Sequence, residues 1–195
     1  DLDFDDDANK TLFTNWYTRY IFPSMTQPVN YAKMDVVRQK FVRQDLGFAK
    51  NPKVHDYLVN DLTLPEMTKI VRGNFYPAVR YNAMLIIANL NQVEMPTTGQ
   101  RTPPIPLISA LKVMVDELQN AQHSVAVHLA AWIGVLRHAE LNRINQSIPS
   151  EGVKVIRDIA TSLLTQKNPA AGRSVSGHVW MQRRATEVLA ALGTA

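Results

Sequence analysis

The chain contains no cysteine, and this absence excludes several kinds of chemistry at once. Without cysteine there are no disulfides, no thiolate ligands for a metal, and no cysteine nucleophile. The absence does not fix the compartment, because many exported bacterial proteins also lack cysteine. The sequence begins at Asp1 rather than at methionine, so an exported bacterial protein that has lost a signal peptide is compatible with it.

Glycine and long apolar runs are also scarce. There are 8 glycines and 11 prolines among 195 residues, a balance that favours helices separated by turns over a sheet with many tight hairpins. The longest apolar run, residues 83–88, is far shorter than the ~18–20 residues of a membrane span. No segment alternates apolar and polar residues for long enough to predict a strand. We therefore predict an all-α fold without a membrane span.

Charge is distributed unevenly along the chain. The formal net charge is +4, yet the first seven residues, DLDFDDD, contain five aspartates, which leaves 21 basic and 12 acidic residues elsewhere. A body this basic could attract phosphate or acidic partners. Because the longest basic run is the pair Arg183-Arg184, we favour basic residues dispersed over exposed helix faces. Residues 1–8 are predicted to be an acidic tail.

The stretch PAVRYNAMLIIANLN, residues 77–91, has the clearest helical pattern in the chain. Its apolar residues follow the i, i+4, i+7, i+8, i+11 spacing of one helix face: Val79, Ala83, Ile86, Ile87 and Leu90. Pro77 suits the first turn, where its missing N–H has no intrahelical partner. The small Ala83 in the middle of this face predicts close approach of another helix.

The same pattern recurs three more times along the chain. The residues that take the place of Ala83 are Phe41, Ala131 and Ala185, which gives spacings of 42, 48 and 54 residues. Each copy is preceded by another amphipathic segment, for which we also predict a helix. One of these, residues 52–73, is predicted as two pieces joined by a turn before Pro65.

The chain is therefore predicted to contain four helix-turn-helix units in a single domain, residues 9–195. The units run at about 9–50, 51–92, 103–141 and 149–194. A single helix pair cannot bury both of its faces, and stacking of successive pairs supplies the missing surface. We predict an α-α superhelix, or solenoid, of about four antiparallel helix pairs.

The second helices of these units resemble those of HEAT or HEAT-like, armadillo-type repeats. In those families the second helix commonly contains small-Val-Arg-x-x-Ala, then apolar residues and a closing Leu-Gly. The best matches are Pro77, Val79, Arg80, Ala83, Ile87 and Leu90 in the second unit, and Arg184, Ala185, Leu189, Leu192 and Gly193 in the fourth. Unit three has His128 where Arg80 stands. The resemblance implies an architecture and says little about activity, since the motif residues are those that pack the helices against one another.

This resemblance implies a protein-interaction or scaffold module that has no catalytic residues and needs no cofactor or metal. The expected partner is another protein, bound by the exposed faces of the second helices. The candidate contact residues are Arg80, Asn82, His128, Arg137, Arg183 and Arg184.

The sequence is also compatible with three other functions. The excess of positive charge suggests a solenoid that binds nucleic acid or phosphate. HEAT-like DNA glycosylases have a basic concave face with aromatic residues, which here could comprise Arg137, Arg143, Arg183, Arg184, Trp132 and Trp180. No matching catalytic aspartate can be assigned, however, and Trp132 is predicted to pack in the core. An armadillo-like peptide clamp could instead use Asn82, Asn89 and Trp16.

Motifs for metal or phosphate chemistry are incomplete. The five histidines form no HExxH motif, and we predict that they lie on helix faces without a metal. DLDFDDD lacks the glycine and the distal glutamate of an EF-hand. Residues 168–180 carry glycines and serines before a helix but lack the lysine and the glycine spacing of a P-loop. We interpret this segment as a connector whose serines cap the helix.

Overall fold

The computed structural model describes residues 4–47, 49, 51–120 and 124–193. This part of the chain forms eight helices and one short two-stranded ladder. The first three residues of the predicted acidic tail lie outside the described residues.

The first three helices each contain a π-helical segment, and the fourth is regular. Helix α1 consists of Asp7–Trp16, the π-helical Tyr17–Ile21 and a last turn, Phe22–Ser24. A 3₁₀ segment, Pro28–Lys33, leads to α2, which consists of Met34–Lys40 and the π-helical Phe41–Leu46. Helix α3 consists of Pro52–Asp56, the π-helical Tyr57–Thr63 and Leu64–Arg72, and α4 is Pro77–Asn89.

The last four helices are regular. They are α5 (Ile108–Gln119), α6 (Val125–Asn145), α7 (Ser150–Thr165) and α8 (Val175–Ala191). The strands β1 (Asn91–Val93) and β2 (Ile105–Pro106) pair antiparallel between α4 and α5. This ladder was not predicted, because strands of two and three residues are too short to show alternation.

Helices α3 to α8 pack as pairs, α3 with α4, α5 with α6, and α7 with α8. In the first pair, Tyr17 and Phe22 of α1 contact the ring of Phe41 in α2. The second helices of the pairs also pack on one another in sequence: α2 on α4, α4 on α6, and α6 on α8. These contacts confirm the predicted all-α class and a solenoid-like stack of helix pairs.

The core follows the row of second helices. Helix α4 is buried over almost its whole length, because α2, α3, α5 and α6 all contact it. Trp132 of α6 is buried, as predicted. A Cβ atom added to Gly134 of α6 would lie 2.6 Å from Cβ of Ala88 in α4 and would overlap Sδ of Met114 in α5. Three helices therefore approach closely at this glycine.

Helix α3 is continuous, and the predicted turn before Pro65 is absent. The π-helical segment ends where the N–H of Leu64 donates to the carbonyl of Val59, five residues back. Proline in a regular helix removes one hydrogen bond and clashes with the carbonyl four residues earlier. The wider π turn directly before Pro65 changes this local geometry, so the chain continues as a helix.

Candidate functional site

Arg80 connects α4 to the helix that precedes it. Its half-buried side chain donates from Nε to the carbonyl of Val71 at 2.7 Å. That carbonyl belongs to the last turn of α3, where carbonyls have no partner within the helix. The positive charge also complements the negative end of the helix dipole. Arg80 therefore stabilises the junction between the two helices of its pair.

His128 of α6 and His178 of α8 make the same kind of contact. Nε2 of His128 lies 3.1 Å from the carbonyl of Asn120, directly after α5. Nε2 of His178 lies 3.0 Å from the carbonyl of Gln166, directly after α7. Both rings are buried. Because a carbonyl oxygen only accepts hydrogen bonds, Nε2 carries the proton in each ring.

These three contacts define one equivalent position in three successive units. Arg80, His128 and His178 each stand four residues after the residue that caps their helix. Each bonds to a carbonyl at the C-terminal end of the first helix of its own pair. In α6 and α8 the capping residue is a serine whose hydroxyl accepts a backbone N–H, as predicted for the connector before α8.

The equivalence corrects the predicted alignment of the fourth unit. Arg80, His128 and His178 follow one another at 48 and 50 residues, whereas the apolar pattern suggested 48 and 54. Met181 of α8, not Ala185, therefore corresponds to Ala83. A shift of four residues is about one helical turn, so the apolar face alone does not reveal it.

Asn82 is buried between two second helices. It is 8% exposed; its Oδ1 accepts from Nε of Arg38 in α2 at 3.0 Å, and its Nδ2 donates to the carbonyl of Ala78 at 2.9 Å. Asn89 likewise donates to the carbonyl of Leu85 in its own helix. Contrary to expectation, these contacts leave Asn82 little surface for a partner, and the same holds for the buried His128.

Arg137 connects α6 to the C-terminal end of α4. Its guanidinium donates to Oδ1 of Asn91 and, at 3.4 Å, to the carbonyl of Ala88. Burial lowers the pKa of Arg137, and the charge of Glu94 opposes this shift. Arg137 therefore stabilises the packing of two helices, in the same way as Arg80.

Arg183 and Arg184 of α8 share one carboxylate. Nε of Arg183 lies 3.0 Å from Oε1 of Glu187, and Nη1 of Arg184 lies 2.6 Å from Oε2. Burial acts to raise the pKa of Glu187, but the hydrogen bond from Arg183 and the charge of Arg184 outweigh it and lower this pKa. The guanidinium of Arg184 also lies over the ring of Trp180. Of the six predicted contact residues, only Arg183 is exposed.

His138 of α6 is fully buried between two backbone carbonyls. Its Nδ1 lies 2.9 Å from the carbonyl of Gly134, and its Nε2 lies 3.2 Å from that of Leu107. Burial lowers the pKa of His138 to about 4, although both carbonyls favour the protonated ring. The ring is thus neutral at pH 7 and links α6 to the start of α5.

The sequence did not predict the most conspicuous exposed feature, a row of apolar side chains on α1. Leu12, Trp16 and Tyr20 are 65%, 53% and 62% exposed. They are spaced four residues apart, and the rings of Trp16 and Tyr20 have centroids 5.6 Å apart. We call these three residues the α1 stripe. The adjoining face of α1 packs inward through Phe13 and Tyr17, so both faces of this helix carry large apolar residues.

A cleft of about 530 Å³ lies between α5, α6, α7 and the connector before α8. We call it the α5–α7 cleft. Its apolar lining includes Leu118, Val125, Trp132, Ile159 and Leu163, and its charged lining residues are Asp158 and Arg173. The size lies within the ~300–1,000 Å³ range of small-molecule sites.

Within residues 4–47, 49, 51–120 and 124–193, no group of three or more histidine, aspartate or glutamate side chains is arranged to hold a metal ion. None of the helices in these ranges has the length and apolarity that a bilayer crossing requires. No protein-family model, curated protein or solved structure matches the chain.

Proposed function

We propose that this chain is a HEAT-like helical-repeat module that binds another protein and has no catalytic role. The stack of second helices supports this proposal, as do the equivalent contacts of Arg80, His128 and His178. Stacked helix pairs offer extended surfaces that suit protein partners. The observation that carries the proposal is the exposure of the α1 stripe.

The α1 stripe has the composition and spacing of a protein-binding surface. Tryptophan and tyrosine are enriched among the residues that dominate interface energies. Apolar residues at i, i+4 and i+8 on one helix suit a partner groove or a partner helix. Tyr17 on the adjoining, buried face fixes the helix, because its hydroxyl donates to Oδ1 of Asp45 in α2 at 3.0 Å. A partner would thus meet a preorganised surface, which reduces the entropic cost of binding.

The nucleic-acid alternative gains little from the arginines of the second helices. Arg137 is bonded to Asn91, and Arg183 and Arg184 share Glu187. A phosphate would have to compete with these contacts. We therefore place the binding surface on α1 rather than on α6 and α8.

A photo-crosslinking experiment tests the proposal. A benzoylphenylalanine at Ala8, one turn before Leu12 and exposed, is expected to capture a protein partner in cells of the source organism. The matched control carries the same group at the exposed Lys154 of α7. Capture of the same proteins from both positions, or of none, would contradict the proposal. So would tight binding of duplex DNA that weakens steeply with salt, the signature of phosphate contacts.

A further inference from the structure

The α5–α7 cleft is separate from the α1 stripe, and the proposed function does not use it. Its inner wall is formed by buried side chains, among them His128, Trp132 and Leu163. His128 is fixed by its contact with the carbonyl of Asn120. Because these residues belong to the packed row of helices, the wall exists before any ligand arrives. A preformed apolar wall of this kind suits the apolar body of a small molecule.

Arg173 supplies the cleft with a positive charge that has no carboxylate partner in the described structure. It lines the cleft, and its Nε is buried without a hydrogen-bond acceptor among the described residues. Its partial burial desolvates the charged form and so lowers the pKa of Arg173. A guanidinium in this situation favours an incoming anion, and its planar fork matches a carboxylate.

His178 orients this guanidinium. Its Nε2 donates to the carbonyl of Gln166, so its Nδ1 is free of hydrogen and accepts from Nη1 of Arg173 at 3.3 Å. The contact with a neutral ring positions Arg173 but does not neutralise it. The fold thus presents a charged group of fixed direction beside an apolar wall.

Asp158 restricts the charge of the ligand. It lines the cleft and is exposed, so it adds a negative charge that disfavours a second anionic group on the same molecule. We propose that the α5–α7 cleft binds a small monocarboxylate, with its carboxylate on Arg173 and its apolar body against Trp132, Ile159 and Leu163.

Calorimetric and NMR titrations with 4-phenylbutyrate, octanoate and indole-3-propionate test this proposal. We expect at least one acid to bind and to shift the indole N–H resonance of Trp132. The corresponding primary amide should bind at least tenfold more weakly, because it lacks the charge that Arg173 recognises. Absence of binding by all three acids at 10 mM, or equal affinity of acid and amide, would overturn the proposal.

Variants of two basic residues in the same connector localise the effect. Arg173→Gln is expected to weaken the acid at least tenfold while leaving the amide unchanged. Lys167→Gln is the matched control, since Lys167 is exposed and does not line the cleft, and it should bind the acid normally. The retained affinity for the amide shows that the Arg173→Gln cleft is still folded. Equal effects of the two substitutions would refute the role of Arg173.

Two sources of the carboxylate remain to be separated, a free small acid and the C-terminus of a peptide. A tripeptide ending in phenylalanine, with a free or an amidated C-terminus, distinguishes them from 4-phenylbutyrate. Tighter binding of the free peptide would assign the site to peptide C-termini, and tighter binding of the small acid would assign it to free acids. The variant Trp16→Ala/Tyr20→Ala should bind the preferred acid normally. The proposal for the α1 stripe and the proposal for the cleft can therefore fail independently.

Discussion

At the scale of single residues, buried and half-buried polar side chains link the helices to one another. Arg80, His128 and His178 each satisfy a carbonyl that the preceding helix leaves open. The residue type at this equivalent position can differ between units, because an arginine and a neutral histidine can each donate one hydrogen bond to the carbonyl. A residue type on a helix face therefore does not reveal whether it meets a partner protein or a neighbouring helix end.

His138 predicts how stability depends on pH. Its pKa in the folded state, about 4, lies below the ~6.5 of an unfolded chain, so the unfolded state binds a proton first as the pH falls. The stabilisation is complete above pH 6.5 and decreases as the pH falls towards 4, by roughly 2–4 kcal/mol. Urea denaturation between pH 4 and 7.5 should show this decrease in the wild type and a smaller one in His138→Gln. Parallel curves for the two proteins would contradict the assignment.

The contact between Arg72 and Glu117 predicts a large effect from loss of one partner. Glu117 of α5 is 2% exposed, and its Oε1 accepts from Nε of Arg72 in α3 at 2.7 Å. Arg72→Met would leave a buried carboxylate without this cation, and we expect the free energy of unfolding to fall by about 2–4 kcal/mol. This is somewhat less than for a fully buried pair, because Arg72 itself is half exposed. The double variant Arg72→Met/Glu117→Leu should recover much of the loss in chemical denaturation. A loss below about 0.5 kcal/mol in the single variant would show that the contact contributes little.

At the scale of elements, the helices are positioned by close approach as well as by apolar faces. The sequence predicted this approach at Ala83, which is indeed buried. The structure adds Gly134, where α4, α5 and α6 meet without room for a side chain. A glycine inside an apolar helix has no periodic signal of its own, so the sequence alone does not distinguish it from a tolerated one.

Gly134→Ala should destabilise the protein although alanine is the better helix former. The new methyl group would overlap Sδ of Met114 and Cβ of Ala88, at a cost of about 1–3 kcal/mol, against a gain in helix propensity of about 1 kcal/mol. We expect a lower thermal midpoint. Gly152→Ala in α7 is the matched control, because its new Cβ would meet a single neighbour, Cγ2 of Ile148, at 3.1 Å. The same gain in helix propensity then faces little opposition, so its midpoint should stay at the wild-type value or rise. A midpoint of Gly134→Ala above that of the wild type would be inconsistent with the close approach.

At the scale of the whole molecule, the stack of helix pairs could be predicted because apolar residues recur at helical spacing between loop segments. Residues 77–91 gave a helix whose observed limits, Pro77–Asn89, agree closely. The contact surface could not be predicted in the same way. Leu12, Trp16 and Tyr20 have the same apolar character as Phe13 and Tyr17, and only the packing of α1 on α2 and α3 determines which face stays exposed.

The candidate residues of the second helices illustrate the same limit. Asn82 and His128 are polar residues on helix faces, a pattern typical of an exposed contact surface. In the structure they lie where two helices meet, and their hydrogen bonds are made inside the fold. Contacts between helices that are distant in the sequence determine whether such a polar residue is buried or exposed. The spacing of residues within one helix does not reveal these contacts.

The most direct test of the proposed binding surface uses the partner protein that crosslinking identifies. Its affinity, once it is purified, is measured for the wild type and for Trp16→Ala/Tyr20→Ala. Both side chains point away from the core, so circular dichroism and the thermal midpoint should change little. We expect the dissociation constant to rise at least tenfold, because truncation of central aromatic residues typically costs more than about 1.4 kcal/mol. The control Lys154→Ala should bind as the wild type does. An unchanged dissociation constant in the folded double variant would contradict the proposal that the α1 stripe is the partner-binding surface.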